Sequence, residues 1–161
     1  VFTQNGQEAG SASYSATQDF WVRRSVGNMI FTGVLERFSQ LKIAIVEHEL
    51  LWLPYFLKQL DVTYTELSQT APYRFKNNKL PSDFFRDQIF TTFQEDKIGL
   101  QVLPGMIGTD TLMFGSDYPH AESTWPNSQD FLADLLTEVS DGDQRKFTHD
   151  NVAQIFGFKP T

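Results

Sequence analysis

The chain has 161 residues, is 40% hydrophobic and 14% aromatic, and carries a formal net charge of −7. That balance suits one globular domain and excludes a disordered chain, and acidity without a basic stripe argues against nucleic acid or an anionic membrane as partner. Cysteine is absent, which excludes disulfides and thiolate chemistry, so any metal must use His, Asp or Glu.

No apolar run approaches the ~20 residues of a membrane span. The start, Val1-Phe2-Thr3-Gln4, has neither the basic nor the apolar region of a signal peptide. A cytoplasmic location is expected. The absence of an initiator Met before this strand-like start leads us to expect a beginning inside a larger protein. Residues 5–16, rich in Gly, Ser, Ala and Gln, read as a loop. From Thr17 the pattern turns helical, with Gly27, Ile30, Phe31, Val34, Leu35 and Phe38 on one face. Thr17 is placed as its cap and Asp19 in its first turn. Gly33 weakens this helix and leaves room for close packing.

Leu41 to His48 reads as a strand buried on both faces, as in a parallel sheet. Pro54 suits the first turn of the next helix, whose stripe is Leu53, Phe56, Leu57, Leu60, Tyr64 and Leu67. An irregular stretch over 70–81 follows, and Ser82 is placed as the cap of a short turn through Arg86. Ile89 to Phe93 is the second strand. A helix then runs from Gln94-Glu95-Asp96 to Leu103, stopping at Pro104-Gly105. A third strand covers Thr111 to Gly115. The loop Ser116–Asn127 leads into a helix over Ser128–Val139, and a last short helix is capped by Thr148 and closed by Gly157. Alternating helix and strand predicts an α/β fold with a parallel sheet.

Parallel strands put all their C-terminal ends at one rim, where α/β barrels keep their working residues. Those ends carry Glu47 and His48, then Phe93 to Asp96, then Asp117 with Tyr118 and His120. Each has a structural reading. Asp117 suits a turn, His48 a hydrogen-bonded strand end, Glu95 and Asp96 a helix N-terminus. His149 lies beside the expected cap Thr148. Trp52 and Trp125 suit either a core or a pocket wall. Ser116 lacks the following glycine of a nucleophile elbow, and no phosphate-binding glycine loop is present. His48 and Asp117 together are more informative: imidazole and carboxylate at one rim suit Zn²⁺, Mn²⁺ or Fe²⁺, and a carboxylate beside a metal can carry a proton.

The segments Gly33-Val34-Leu35-Glu36-Arg37-Phe38, Val46-Glu47-His48, Trp52-Leu53-Pro54-Tyr55, Thr91-Thr92-Phe93-Gln94-Glu95-Asp96 and Met113-Phe114-Gly115-Ser116-Asp117-Tyr118-Pro119-His120 resemble amidohydrolase-related proteins. The resemblance covers the chain from about residue 25. It implies a (β/α)₈ TIM barrel with a divalent metal at its mouth. Members hold that metal through His-x-His on the first strand, His on the fifth, often His on the sixth, and Asp on the eighth. His48 would end the sixth strand and Asp117 the eighth, where the Asp also transfers the proton. Two departures stand out. The chain contains no His-x-His, and the fifth strand would be Val1 to Gln4, with Gln4 or Asn5 where a His is expected. Glu49 stands where members commonly carry a small residue.

A whole barrel takes ~250 residues. Residues 1–161 are therefore expected to form a single partial TIM-barrel domain, about strands 5/6 to 8, completed by a missing N-terminal half or by a homo-oligomer. The expected activity is that of a metal-dependent hydrolase or decarboxylase acting on a small carboxylated or carbonyl compound. Zn²⁺ is the first choice of metal, with Mn²⁺ or Fe²⁺ as alternatives. Asp117 and His48 are the expected metal and catalytic residues, and His120, Trp125 and Phe93 the pocket residues. The alternative is a non-catalytic half-barrel remnant or interaction module without a complete metal site.

Overall fold

The apolar runs around Ile43, Ile89 and Leu112 become three strands in a computed structural model that describes residues 10–67 and 69–159. In chain order the elements are α1 (Gly10–Ala16), α2 (Asp19–Phe31), α3 (Val34–Arg37), β1 (Ile43–Ile45), α4 (Leu53–Glu66), β2 (Ile89–Phe93), α5 (Lys97–Val102), α6 (Pro104–Ile107), β3 (Leu112–Phe114), α7 (Ser128–Leu135), α8 (Asp141–Arg145) and α9 (Asn151–Phe156). Two 3₁₀ turns, Lys76–Asn78 and Pro81–Arg86, lead into β2. The strands pair in parallel in the order β1-β2-β3, as the alternating pattern predicts. No described helix is long and apolar enough to cross a membrane.

Register explains where the core lies. Ile43 sits beside Ile89, Ile45 beside Thr91, Thr91 beside Leu112, and Phe93 beside Phe114, so these side chains share one face. The aliphatic and aromatic members of that face pack against Leu53, Leu57 and Leu60 of α4, Leu100 of α5, Leu135 of α7, and Phe84, Phe85 and Phe147. Burying each such side chain contributes ~1.5–3 kcal/mol. The central strand β2 is the most fully buried. The strand expected over 41–48 shortens to three residues, and Val46 is exposed. Among the described residues β1 has a neighbour on one side only, and an edge strand lacks the second shield.

Several local expectations give way to tertiary partners. Residues 10–16 of the expected loop are helical; residues 1–9, including the strand expected at Val1–Gln4 and the positions of Gln4 and Asn5, lie outside the described residues. The Thr17 hydroxyl bonds back to the Ser13 carbonyl (2.7 Å) and does not cap α2. Leu67 falls beyond α4 and is exposed. Ser82 donates twice to Asp61, while Asp83 takes the Leu80 N–H at the turn's start. Pro104 opens α6, where its missing N–H costs nothing. Ser140 caps α8, and Thr148 lies within the widened turn Lys146–Asp150 that joins α8 to α9. Gly157, with φ 70°, follows α9 as expected.

The expected single helix from Thr17 breaks at Gly33. Its φ of 71° lies in the left-handed region, and a Cβ there would overlap the Tyr73 ring. Close packing and backbone freedom are thus required together. Gly33→Ala is expected to lower stability by about 1–3 kcal/mol, read as a lower urea midpoint; an unchanged midpoint would contradict this account.

Tyr73 also donates its hydroxyl to Glu36 Oε2 (2.8 Å), and Lys76 N–H donates to Oε1 (2.6 Å). The Lys76 N–H, with help from the Tyr73 hydroxyl and against partial desolvation, holds the Glu36 carboxyl below its ordinary pKa. A depressed folded-state pKa gives stabilisation that is complete above the unfolded value and is lost as pH falls through the depressed one. Glu36→Gln should therefore cost stability near pH 7 and progressively less as the pH falls through and below the ordinary carboxylate range. Urea midpoints of both proteins across that range check the convergence.

Candidate functional site

Because the sheet is parallel, its three strands deliver their chain exits to one edge. A cleft of about 310 Å³ opens there, bordered by Glu47 and Glu49 after β1, Thr92 to Gln94 at the end of β2, and Gly115 to Tyr118 after β3. Asp117 has φ 59°, and its side chain is 15% exposed. The chain then turns back, His120 N–H donating to the Asp117 carbonyl (2.9 Å). This return sets His120 Nδ1 2.9 Å from Asp117 Oδ1. The contact lacks hydrogen-bond alignment, so Oδ1 is sealed from solvent without a hydrogen-bond partner. A buried carboxylate oxygen left in that state is costly and is well suited to a cation.

Glu47 supplies a third group. One ligand atom each from Glu47, Asp117 and His120 lies within 4.8 Å of the others. Two carboxylates and an imidazole suit a divalent cation such as Zn²⁺ or Mn²⁺. The donor set therefore fits the metal that the family resemblance implies.

The rim is held by buttressing from neighbouring loops. Glu47 N–H donates to the Thr92 hydroxyl (3.0 Å). The Glu49 carboxylate accepts the N–H groups of Gln94 (3.1 Å) and Glu95 (3.0 Å). In return Asp96 Oδ2 accepts the N–H groups of Leu50 (3.0 Å) and Leu51 (2.6 Å), and its Oδ1 caps α5 at Gly99. The Trp52 indole donates to the carbonyls of His48 and Glu49. The bulky Glu49 thus acts as a tie between the loops after β1 and β2. Glu47 and Glu49 both have positive φ, 65° and 55°. Such strain costs of order 1–3 kcal/mol per residue and tends to gather at functional sites.

The structure separates the expected site residues. Asp117 and His120 come together. His48 is half-buried and lies outside that cluster, lining a neighbouring cleft with Asp19, Arg23 and Trp52. Trp125 is exposed on the loop after β3 and meets Tyr118 edge to face at 5.1 Å. That loop is latched to β2 by Gln94 Nε2, which donates to the Glu122 carbonyl (2.6 Å). Phe93 borders the cleft but is 1% exposed, with its ring against Phe114 and Phe147. Asp96 is the helix cap expected of it, and His149 pairs with Asp150 away from the rim. Sequence reasoning noted Glu47 at a strand end but gave it no role. Its adjacency to His48 was the available signal.

No curated protein matches the sequence. Among solved structures, an amidohydrolase from Mycobacterium avium subsp. paratuberculosis K-10 is 27% identical, with a TM-score of 0.73 over 89% of this chain and 35% of its own. The 5-carboxyvanillate decarboxylase of Sphingomonas paucimobilis is 23% identical, with a TM-score of 0.68 over 83% of this chain and 38% of its own. A dihydroxybenzoic acid decarboxylase from Polaromonas sp. JS666, solved with bound manganese, is 17% identical, with a TM-score of 0.65 over 100% of this chain and 50% of its own. The chain thus spans between a third and a half of these structures, and it matches a portion of their TIM barrels, as expected. The family profile of the amidohydrolases matches residues 23–158, a stretch that holds all three strands and the whole rim cluster; the chain belongs to the amidohydrolase family.

Proposed function

We propose that this chain carries part of the active site of a metal-dependent hydrolase or carboxy-lyase that acts on a small carboxylated or carbonyl compound. The observation that carries this reading is Asp117 Oδ1, buried without a hydrogen-bond partner beside His120 at the strand-end rim. Asp117 and His120 would hold a divalent metal. Zn²⁺ suits these donors, and the manganese bound in the Polaromonas decarboxylase supports Mn²⁺ equally. When bound, such a cation polarises a substrate oxygen.

Asp117 has the second task of moving a proton. In hydrolysis its carboxylate accepts a proton and returns it to the leaving group; in decarboxylation its carboxyl group protonates the carbon that loses CO₂. Tyr118 and Trp125 form a lip on the latched loop and would limit water at the mouth. His48, from the adjoining cleft, would orient or polarise the substrate. Each of β1 and β3 has one strand neighbour among the described residues. The remaining walls would come from further strands, in the same polypeptide or in a second copy. Metal content and turnover of the wild type against Asp117→Asn test the reading.

A further inference from the structure

The site of Asp117 raises the question of which residue β1 contributes to it. We propose that Glu47, and not His48, is the donor from the β1 end, and that Glu49 is a positioning residue that holds it there. The inference rests on the metal-binding reading above. Extended backbone alternates side chains between the two faces of a sheet. Had β1 continued as a strand, Glu47 would follow Ile45 and Val46 in that alternation. It does not continue. Glu47 enters the left-handed region at φ 65°, and Glu49 does so again at φ 55°. Two such turns within three residues place the Glu47 carboxylate within 4.8 Å of ligand atoms of Asp117 and His120, whereas His48 is outside that group.

A close cluster of acids alone would say little, since exposed carboxylates often crowd without a ligand. Here the independent observation is the Asp117 oxygen that solvent does not reach and no donor satisfies. Glu47 itself is exposed and free of burial constraints. The loop that carries it is fixed at three points: Glu47 N–H donates to the Thr92 hydroxyl, the N–H groups of Gln94 and Glu95 donate to the Glu49 carboxylate, and the Trp52 indole donates to the carbonyls of His48 and Glu49. Non-glycine residues hold left-handed conformations when the surroundings over-determine them. Glu49 is the charged member of that set, and its two acceptor contacts tie the Glu47 loop to the end of β2.

The probe is Mn²⁺ alone, added to the metal-free full chain, with the free ion counted by electron paramagnetic resonance. Glu47→Gln is expected to weaken Mn²⁺ binding more than about tenfold, the scale on which even outer partners of a metal site act. His48→Gln should change it by less than about twofold, and Glu49→Ala should weaken it by roughly tenfold, with partial recovery in Glu49→Gln. Circular dichroism spectra matching the wild type confirm that each variant is folded. Loss on His48→Gln with retention on Glu47→Gln overturns the inference while leaving metal binding at Asp117 intact. Equal retention in both variants overturns it in the same way. A wild-type chain that takes up no Mn²⁺ overturns this inference and the metal-binding reading together.

Discussion

Asp117→Asn is expected to remove tight metal uptake and to lower turnover by about 10²–10⁴-fold, the usual range for loss of a positioned proton carrier, without loss of stability. The side chains are nearly isosteric, so the cleft keeps its shape. The charge and the ability to accept and return a proton disappear together. Stability is the informative control because Asp117 sits at φ 59°. Asn populates that region readily, and a neutral amide relieves the cost of a buried oxygen without a hydrogen bond. The urea midpoint of the variant should equal or slightly exceed that of the wild type. Metal analysis, initial rates and the midpoint, measured on one preparation, separate a chemical role from a structural one. Wild-type turnover in a well-folded Asp117→Asn protein would sink the proposed function, and unchanged metal content would sink Asp117 as a ligand.

The strands and the longer helices were legible because their signals are local. Ile89 to Phe93 is β-branched or aromatic at every position, and β2 occupies those residues. Leu53, Leu57 and Leu60 repeat at helical spacing, and α4 buries all three. Helix ends were less legible because each depends on something distant in sequence. Tyr73, 40 residues later, lies where a Cβ at Gly33 would be, so the packing that requires glycine at this helix end has no local signature. Ser82 is occupied by Asp61, 21 residues earlier. That β1 has a strand neighbour on one side only among the described residues is invisible for the same reason, since apolar residues at 43–46 look alike whether or not a neighbour covers them.

The site divides along the same line. Asp117 stands out in the sequence together with His48 and through the family resemblance, and His120 only as a pocket residue; the return of the chain that sets His120 beside Asp117 is visible in the structure alone. The choice between Glu47 and His48 could not be read. Alternation assigns adjacent residues to opposite faces, but it assumes extended backbone. Positive φ at Glu47 and again at Glu49 breaks that assumption, and neither position has the Gly or Asn that would announce it. Glu49 looked like an obstruction because its partners, two backbone N–H groups after β2, carry no side-chain signature.

Phe93→Ala is expected to cost about 3–5 kcal/mol of stability, as full truncation of a buried Phe does. The sequence offers Phe93 as a pocket wall because it ends a strand at the working rim. Register argues otherwise: Phe93 pairs with Phe114 on the face that also carries Ile89 and Thr91 and packs on the helices. Its ring lies 6.1 Å from that of Phe114 and 5.6 Å from that of Phe147, both edge to face. Each such pair adds about 0.5–1.5 kcal/mol beyond the area buried. A wall residue and a core residue predict different outcomes. Truncating a wall raises KM and leaves the urea midpoint in place. Truncating this ring should lower the midpoint steeply, and Phe93→Leu, which keeps most of the volume, should lose much less. Domains of this kind have only ~5–15 kcal/mol in total, so the alanine variant must be assayed where most of it is still folded. Under that condition its metal affinity should approach the wild type's, because β2 reaches the rim through the Thr92 hydroxyl and the Gln94 backbone, neither of which the Phe93 ring supplies.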